Sequence, residues 1–279
     1  MKNVISLKKR ESKSSWLINE ICQAYNIIKT YENETFFHPK VKLAHDSLLR
    51  AFQTNLKEAE RHTLFQYEQI AAISSDLKRF QARTHVNTEI MIAQAYLKKK
   101  GSATNPFIQS WINPGFQNIL NNQLTRWKHS GILNNIRNIC IVGGGALPQT
   151  QVILHKLSGL QITSIDKDPS SCELCSRVLA KLKLSKSLKV VNEDGCKFNY
   201  QGFDMVILAT LVPEKIEIAQ QVFSSGKMYF SPRVPVGLHE LWRNTITKIE
   251  LEEIGWLLVD EWFPKHSSIG SLTLNSHAR

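Results

Sequence analysis

Gly143-Gly144-Gly145 follows a short apolar run, Ile139 to Val142, and precedes a stretch in which a helix should start near Pro148. Glycines at the carboxyl end of a buried strand let the chain turn sharply and let a ligand touch backbone. The helix start beyond them, past Leu147, offers unpaired N–H donors and a positive dipole end. This is a cofactor loop. The next apolar run, LQITSID, ends at Asp166, where a carboxylate can accept hydrogen bonds from ribose hydroxyls. The third, LKVVNED, ends at Glu193-Asp194-Gly195. An acid after the third strand is less useful to NAD than to S-adenosylmethionine, whose adenine amine it can receive, so the pattern leans towards S-adenosylmethionine. The plainer alternative is that Asp166, Asp168 and Asp194 only cap helices.

Other residues carry weaker signals. Arg233 lies just past the fifth apolar run, KMYFS, at a sheet edge where ligands bind, and can clamp a carboxylate bidentately. Cys172 and Cys175 form a single CxxC without a second pair or clustered His, which argues for thiols rather than zinc, and no metal site is expected. Lys98-Lys99-Lys100 closes a helix, where cations favour the negative end of the dipole.

Two kinds of segment must position these groups. All 13 glycines lie at or after Gly101, and no proline falls between Pro39 and Pro106, so the first hundred residues read as helical. Ile70, Ile73, Leu77 and Phe80, then Val86, Ile90, Ala93 and Leu97, recur at helical spacing as one buried face. Asp76, Lys78 and Arg79 fall on the other face. Stops follow at Gly101, Asn105-Pro106, Pro114-Gly115 and Gly131, with a helix from about Phe116 to Trp127. From there β-branched runs alternate with helical segments, which predicts a mostly parallel, doubly wound sheet ending in an antiparallel pair, WLLVDEW and SLTLN. The expected domains are a helical one, 1–130, and a cofactor-binding sheet, 131–279.

The chain has 279 residues, 42% of them hydrophobic, and a formal net charge of +11. It is long enough for about two domains. No run approaches a membrane span and no signal peptide is evident, so a cytoplasmic location is expected, with five unpaired cysteines. The charge admits an anionic small substrate or a nucleic acid. No aromatic-interleaved basic stretch appears, and no nucleic-acid or membrane partner is expected.

The segment Val142-Gly-Gly-Gly-Ala-Leu-Pro-Gln-Thr150 resembles the VG(S/G)GPLPLT signature of the nicotianamine synthases and their bacterial relatives, the opine-metallophore (staphylopine-type) aminobutanoyltransferases. Ile165 to Pro169 is similar to that family's (D/E)I(D/E)P segment, and Leu208-Ala209-Thr210-Leu211-Val212 to its (L/V)AALV segment. Arg233 to Gly237 stands where plant members read RSAHG, and Asn105-Pro106 and Asn113-Pro114 are spaced like the family's NPL and FPYY elements. The likeness spans roughly residues 85 to 245.

The resemblance implies a helical segment on a class I methyltransferase-like Rossmann sheet, with S-adenosylmethionine as co-substrate. It also implies transfer of that donor's 3-amino-3-carboxypropyl (aminobutanoyl) group, not its methyl, to an amine, with release of 5'-methylthioadenosine. Gly143, Gly144, Gly145, Leu147, Pro148, Asp166, Asp194, Ala209 and Thr210 would hold the donor. Glu89 stands at the family's spacing for an acid that accepts the amine's proton or orients it, with His85 one turn earlier. Phe116 occupies the place of a tyrosine in archaeal-type members, so either another group such as Tyr96 supplies the hydroxyl or the substrate differs. Arg233 would meet a carboxylate, and His239 and Trp242 replace Arg and Tyr, which leaves the acceptor open. The implied acceptor is an amino acid, histidine or a second S-adenosylmethionine, in the making of a metallophore. A downstream opine dehydrogenase is the implied partner, and a homodimer is an assembly to test. The rivals are a methyltransferase acting on a small molecule or RNA, and a non-catalytic nucleotide-binding module.

Overall fold

A computed structural model describes residues 13–100, 114–264 and 267–276. Gly101, Asn105-Pro106 and Asn113 lie outside the described residues. Four helices open the described chain: α1 (Lys13–Thr30), α2 (Pro39–Phe52), α3 (Glu58–Gln66) and α4 (Glu68–Lys98). The absence of glycine and proline therefore does not mean an unbroken helix. The chain turns at 53–57, where the Glu60 side chain accepts from the Lys57 N–H at 2.7 Å to start α3, and again at Tyr67, whose ψ of 126° leaves the helical range. These breaks let α3 pack on α4 and bring α4 back against α1, and such tertiary packing overrides local helix propensity.

Helix α4 has 31 residues and crosses two cores. Its first half packs Ile70, Leu77 and Phe80 with Leu17, Ile21, Val41 and Leu48 of α1 and α2. Its second half packs Ala93 and Tyr96 against the sheet. The expected continuous apolar face fails between them: Val86 is exposed, and the buried positions are Gln81, Thr84 and Thr88. The reason is polar satisfaction, since the Thr88 hydroxyl accepts from the Phe36 N–H at 3.1 Å and donates to the Thr84 carbonyl at 2.6 Å.

Pro114 begins α5 (Pro114–His129), where its missing N–H costs nothing. Beyond it run β1 (Asn138–Val142), α6 (Gln149–Ser158), β2 (Gln161–Asp166), α7 (Pro169–Lys181), β3 (Leu188–Asn192), β4 (Met205–Leu208), α8 (Lys215–Ser224), β5 (Tyr229–Pro235), α9 (Lys248–Ile254), β6 (Leu257–Trp262) and β7 (Ile269–Asn275). These form one seven-stranded sheet in the order β3-β2-β1-β4-β5-β7-β6. The first five strands are parallel, and β7 runs antiparallel to both β5 and β6. This is the doubly wound, mostly parallel sheet that the alternation of runs predicts, in the class I methyltransferase-like order that the resemblance implies, and the terminal hairpin is present.

The two faces follow from strand alternation. Ile139 and Ile141 of β1 pack with α6, α7, Trp127 of α5 and the end of α4, while Cys140 and Val142 pack with α8, Trp256 and Leu274. The sheet's order reverses beside β1, so the carboxyl ends of β1 and β4 flank the crevice in which ligands of open α/β sheets bind. Helix α4 passes over that crevice.

Candidate active site

A cavity of about 1080 Å³ opens over the carboxyl ends of the parallel strands and is closed on its other side by α4 and α5. Gly143, Gly144, Gly145, Leu147, Asp166, Asp194, Ala209 and Thr210 all line it, together with Glu89, Phe116 and Arg233. Pro148 stands behind the loop, on a void of about 30 Å³ shared with Thr150 and Arg233.

The glycine loop is held by carboxylates from two directions. Asp166 accepts from the Gly145 N–H at 2.9 Å through one oxygen and from the Asp168 N–H at 3.0 Å through the other. On the opposite side the Glu89 carboxyl, reaching down from α4, takes the backbone N–H groups of Ala146 and Leu147. Burial pushes the Glu89 pKa up to about 8, against the pull of those donors, and the neighbouring Asp166 raises it further. A carboxyl with that affinity for protons can hold one at neutral pH or take one from an amine.

Asp194 sits at the turn after β3 and accepts from the Cys196 N–H at 3.0 Å. Asp168 caps α7: its side chain takes the N–H groups of Ser170 and Ser171, and the Ser171 hydroxyl at 2.6 Å. The plain capping alternative therefore describes Asp168, while Asp166 and Asp194 also face the cavity.

Arg233 lies within β5 rather than past it, because the strand continues through Pro235 in register with β7. Its side chain is buried, with one guanidinium nitrogen donating to the Thr150 hydroxyl at 3.3 Å and the Phe116 ring 5.1 Å from its central carbon. Nη2 has no partner among the described residues. Burial lowers the Arg233 pKa to about 10, so it stays charged at neutral pH. Phe116 thus serves as a ring against the guanidinium; with no hydroxyl it cannot donate.

Two expectations are corrected. Tyr96 is seven residues beyond Glu89, on the same face but about 10 Å further along α4. That displacement carries it off the cavity into the core, where the Lys181 ammonium lies 4.6 Å from its ring. His239 is also buried away from the cavity, in the short 3-10 turn Gly237–Leu241, between the rings of Phe52 and Trp242. Burial lowers its pKa to about 3, leaving it a neutral packing group.

Other residues enter the site without having been singled out for it. His85, one turn before Glu89, lines the cavity with a pKa lowered to about 3 by burial and by Arg243. Arg243 itself lines the wall beyond the 3-10 turn, buried and donating to the Ser268 carbonyl at 3.1 Å. Lys215, at the start of α8, is buried behind the site and donates to the Ala209 carbonyl at 2.9 Å and the Arg233 carbonyl at 3.4 Å. His85 stands one helical turn from Glu89, but no spacing in the chain announces Arg243 or Lys215. Among the described residues no group of three or more His, Cys, Asp or Glu could hold a metal ion, and the thiols of Cys172 and Cys175 are pushed up by burial. No helix among the described residues is long and apolar enough to cross a membrane.

Sheet order and site define an α/β protein of the class I methyltransferase-like fold with an additional helical layer over the ligand crevice. A family model described as "Nicotianamine synthase protein" matches residues 10–231, and the chain belongs to the nicotianamine synthase family. No curated protein matches the sequence. Among solved structures, a glutamate-to-glutamine variant of MtNAS is similar at a TM-score of 0.77 and 13% identity, over 95% of this chain and 98% of that one. The same kind of variant in complex with S-adenosylmethionine gives 0.75 and 14%, over 92% and 97%. MtNAS in complex with MTA and tNA gives 0.74 and 15%, over 92% and 96%. At these identities the likeness is one of fold.

Proposed function

We propose that this protein binds S-adenosylmethionine at the glycine loop and transfers its 3-amino-3-carboxypropyl group to an amine, releasing methylthioadenosine. The observation that carries the reading is the Glu89 carboxyl, seated on Gly145 inside the cavity with its pKa raised to about 8. Family membership and a neighbouring structure bound to the donor support it.

The residues present suit that donor. Gly143 and Gly145 are required by the packing that shapes the site: a Cβ at Gly143 would stand 2.5 Å from Val212 Cγ2, and one at Gly145 would collide with the Glu89 carboxyl. Asp166 and Asp194 offer carboxylates at the ends of β2 and β3 for ribose and adenine. Arg233 offers a buried guanidinium with an unspent N–H group for the donor's carboxylate.

In the reaction the acceptor nitrogen attacks the γ-carbon, a C–N bond forms, and the C–S bond breaks with its electron pair returning to sulfur. The sulfur leaves neutral, and the new ammonium sheds a proton. Glu89 is placed to take that proton or to hold the amine by hydrogen bonding, and its affinity for protons lies nearer to that of an amine than an exposed carboxylate's does. Bringing nitrogen, carbon and sulfur into line supplies most of the rate, and α4 and α5 form the wall facing the glycine loop.

The acceptor we propose is an amino acid, histidine or a second donor molecule. The product would be a nicotianamine- or opine-type metallophore, with a dehydrogenase acting next in the opine case. Helices α4 and α5 act as the cap in this reading, and we propose that the chemistry takes place in the cytoplasm. Incubating the protein with S-adenosylmethionine, alone and with each amino acid including D- and L-histidine, tests this. Methylthioadenosine and an adduct heavier by one aminobutanoyl unit are expected; S-adenosylhomocysteine would make it a methyltransferase instead.

A further inference from the structure

We infer that Arg243 forms a second carboxylate subsite, which receives the acid group of the amine acceptor and sets the enzyme's preference for amino acids over plain amines. The inference rests on the transfer reading above and names the residue that selects the acceptor.

Two buried arginines face one cavity. Arg233 and Arg243 are 6% and 8% exposed, both line the space over the glycine loop, and neither forms an ion pair with a carboxylate among the described residues. A buried guanidinium without a counter-charge is costly, and a fold keeps one where a ligand supplies the missing anion. The donor carries a single carboxylate. Arg233 stands beside Thr150 at the start of α6 and beside the glycine loop, which assigns it to the donor. Arg243 then lacks an anion unless the second substrate brings one.

The surroundings of Arg243 fit that role. One nitrogen is spent on the Ser268 carbonyl, which fixes the head and leaves the rest of the fork for a ligand. Its guanidinium lies 5.7 Å from the centre of the Trp242 ring, which orients the plane. His45, His85 and His239 surround it as neutral groups, each driven well below the usual imidazole range by burial, so none competes for the anion or adds a cation at neutral pH. Asp46, beside His45, is paired with Lys42 on the surface of α2. His85 is one helical turn from Glu89, so an amino acid held by Arg243 through its carboxylate has its α-amine on the side of the base.

The test compares an acceptor with its decarboxylated form, for example histidine with histamine, in wild-type, Arg243→Ala and Arg243→Lys proteins. Methylthioadenosine release and S-adenosylmethionine binding by calorimetry are the readouts. Loss of one charge-assisted clamp predicts an acceptor KM raised about 10- to 100-fold in Arg243→Ala. Arg243→Lys should show a smaller rise. The donor Kd should stay within about twofold, and the preference for histidine over histamine should vanish in Arg243→Ala. Retained donor binding also shows that the variant is folded; if the alanine variant does not fold, the lysine variant carries the comparison. Methylthioadenosine formed with an unchanged acceptor KM, or a parallel loss of donor and acceptor binding, overturns the subsite alone. No methylthioadenosine with any acceptor, from wild-type protein that binds the donor, overturns the transfer reading and the subsite with it.

Discussion

Glu89 holds a carboxyl oxygen so close over the Cα of Gly145 that no Cβ fits between them, and Gly145 adopts a φ of +65°, which side chains rarely tolerate. The base and the cofactor loop are thus one packed unit, although they lie in different layers of the fold. Gly145→Ala should displace Glu89 as well as strain the loop. Gly131 offers the control, since it has a φ of +74° with nothing within 4 Å of a built Cβ. Gly131→Ala should cost about 1 kcal/mol in urea denaturation, the backbone penalty alone. Gly145→Ala should cost about 1–2 kcal/mol more and weaken donor binding at least tenfold. Equal losses in the two variants would mean that the Glu89 contact carries no energy.

The Glu89 ionisation gives a pH signature of definite sign. Its pKa rises from 4.5 to about 8 on folding. Between those values the folded state binds more protons than the unfolded one, so stability falls as pH rises from about 4.5 to 8 and levels off above. Glu89→Gln should remove that slope while keeping the hydrogen-bonding shape. In the ligand's presence the opposite trend appears, because a sulfonium cation binds the ionised form better: donor affinity should rise with pH towards 8 in the wild type and stay flat in Glu89→Gln. Superimposable affinity profiles for the two proteins would exclude Glu89 from contact with the donor.

The parts of the site that were legible are those built from neighbours in sequence. A β-branched run, three glycines and a helix start make a cofactor loop by local geometry, and the acids ending β2 and β3 follow from strand ends. Even the antiparallel close of the sheet showed in the last two runs. What was misplaced, by the resemblance for Tyr96 and by periodicity for Val86, depends on distance and burial. Tyr96 shares the face of Glu89 but lies two turns away, past the crevice. Val86 looked like core because it fits the apolar spacing, yet it borders the cavity, while the buried stripe behind it turns polar at Thr84 and Thr88, the Thr88 hydroxyl being satisfied by the Thr84 carbonyl and the Phe36 N–H. Arg243 and Lys215 were invisible because a cation's burial is set by residues brought in from other elements, here Ser268, Ala209 and the backbone of Arg233.

Arg233 and Phe116 stand in the relation of clamp and backing, with the ring 5.1 Å from the guanidinium carbon. A lysine at 233 keeps the charge but loses the planar fork and the stacking. Arg233→Lys should therefore raise the donor KM about 10- to 100-fold with the acceptor KM little changed. Phe116→Leu should raise it less, by about 2- to 30-fold, since stacking contributes about 0.5–2 kcal/mol. Steady-state kinetics with each substrate varied in turn checks both, and an acceptor KM that moves instead of the donor's would exchange the roles assigned to the two arginines.

Lys215 ties the loop after β4 to β5, its ammonium reaching the carbonyls of Ala209 and Arg233 from the buried start of α8. It touches no space in the main cavity and acts as a positioning residue for Arg233. Burial, and then the charge of Arg233, lowers its pKa from 10.5 to about 7. Between those values the unfolded chain holds a proton that the folded chain lacks, so this group makes stability rise with pH from about 7 to 10.5, opposing Glu89 between about 7 and 8 and acting without it above. Lys215→Met should abolish that rise and, by leaving two carbonyls without a donor, cost about 1–3 kcal/mol at pH 9. Displacement of β5 should raise the donor KM more than it lowers kcat, whereas a purely structural lysine would leave the donor KM of the surviving folded protein where it was. Urea melts at pH 7 and 9, read beside the two kinetic constants, separate these outcomes.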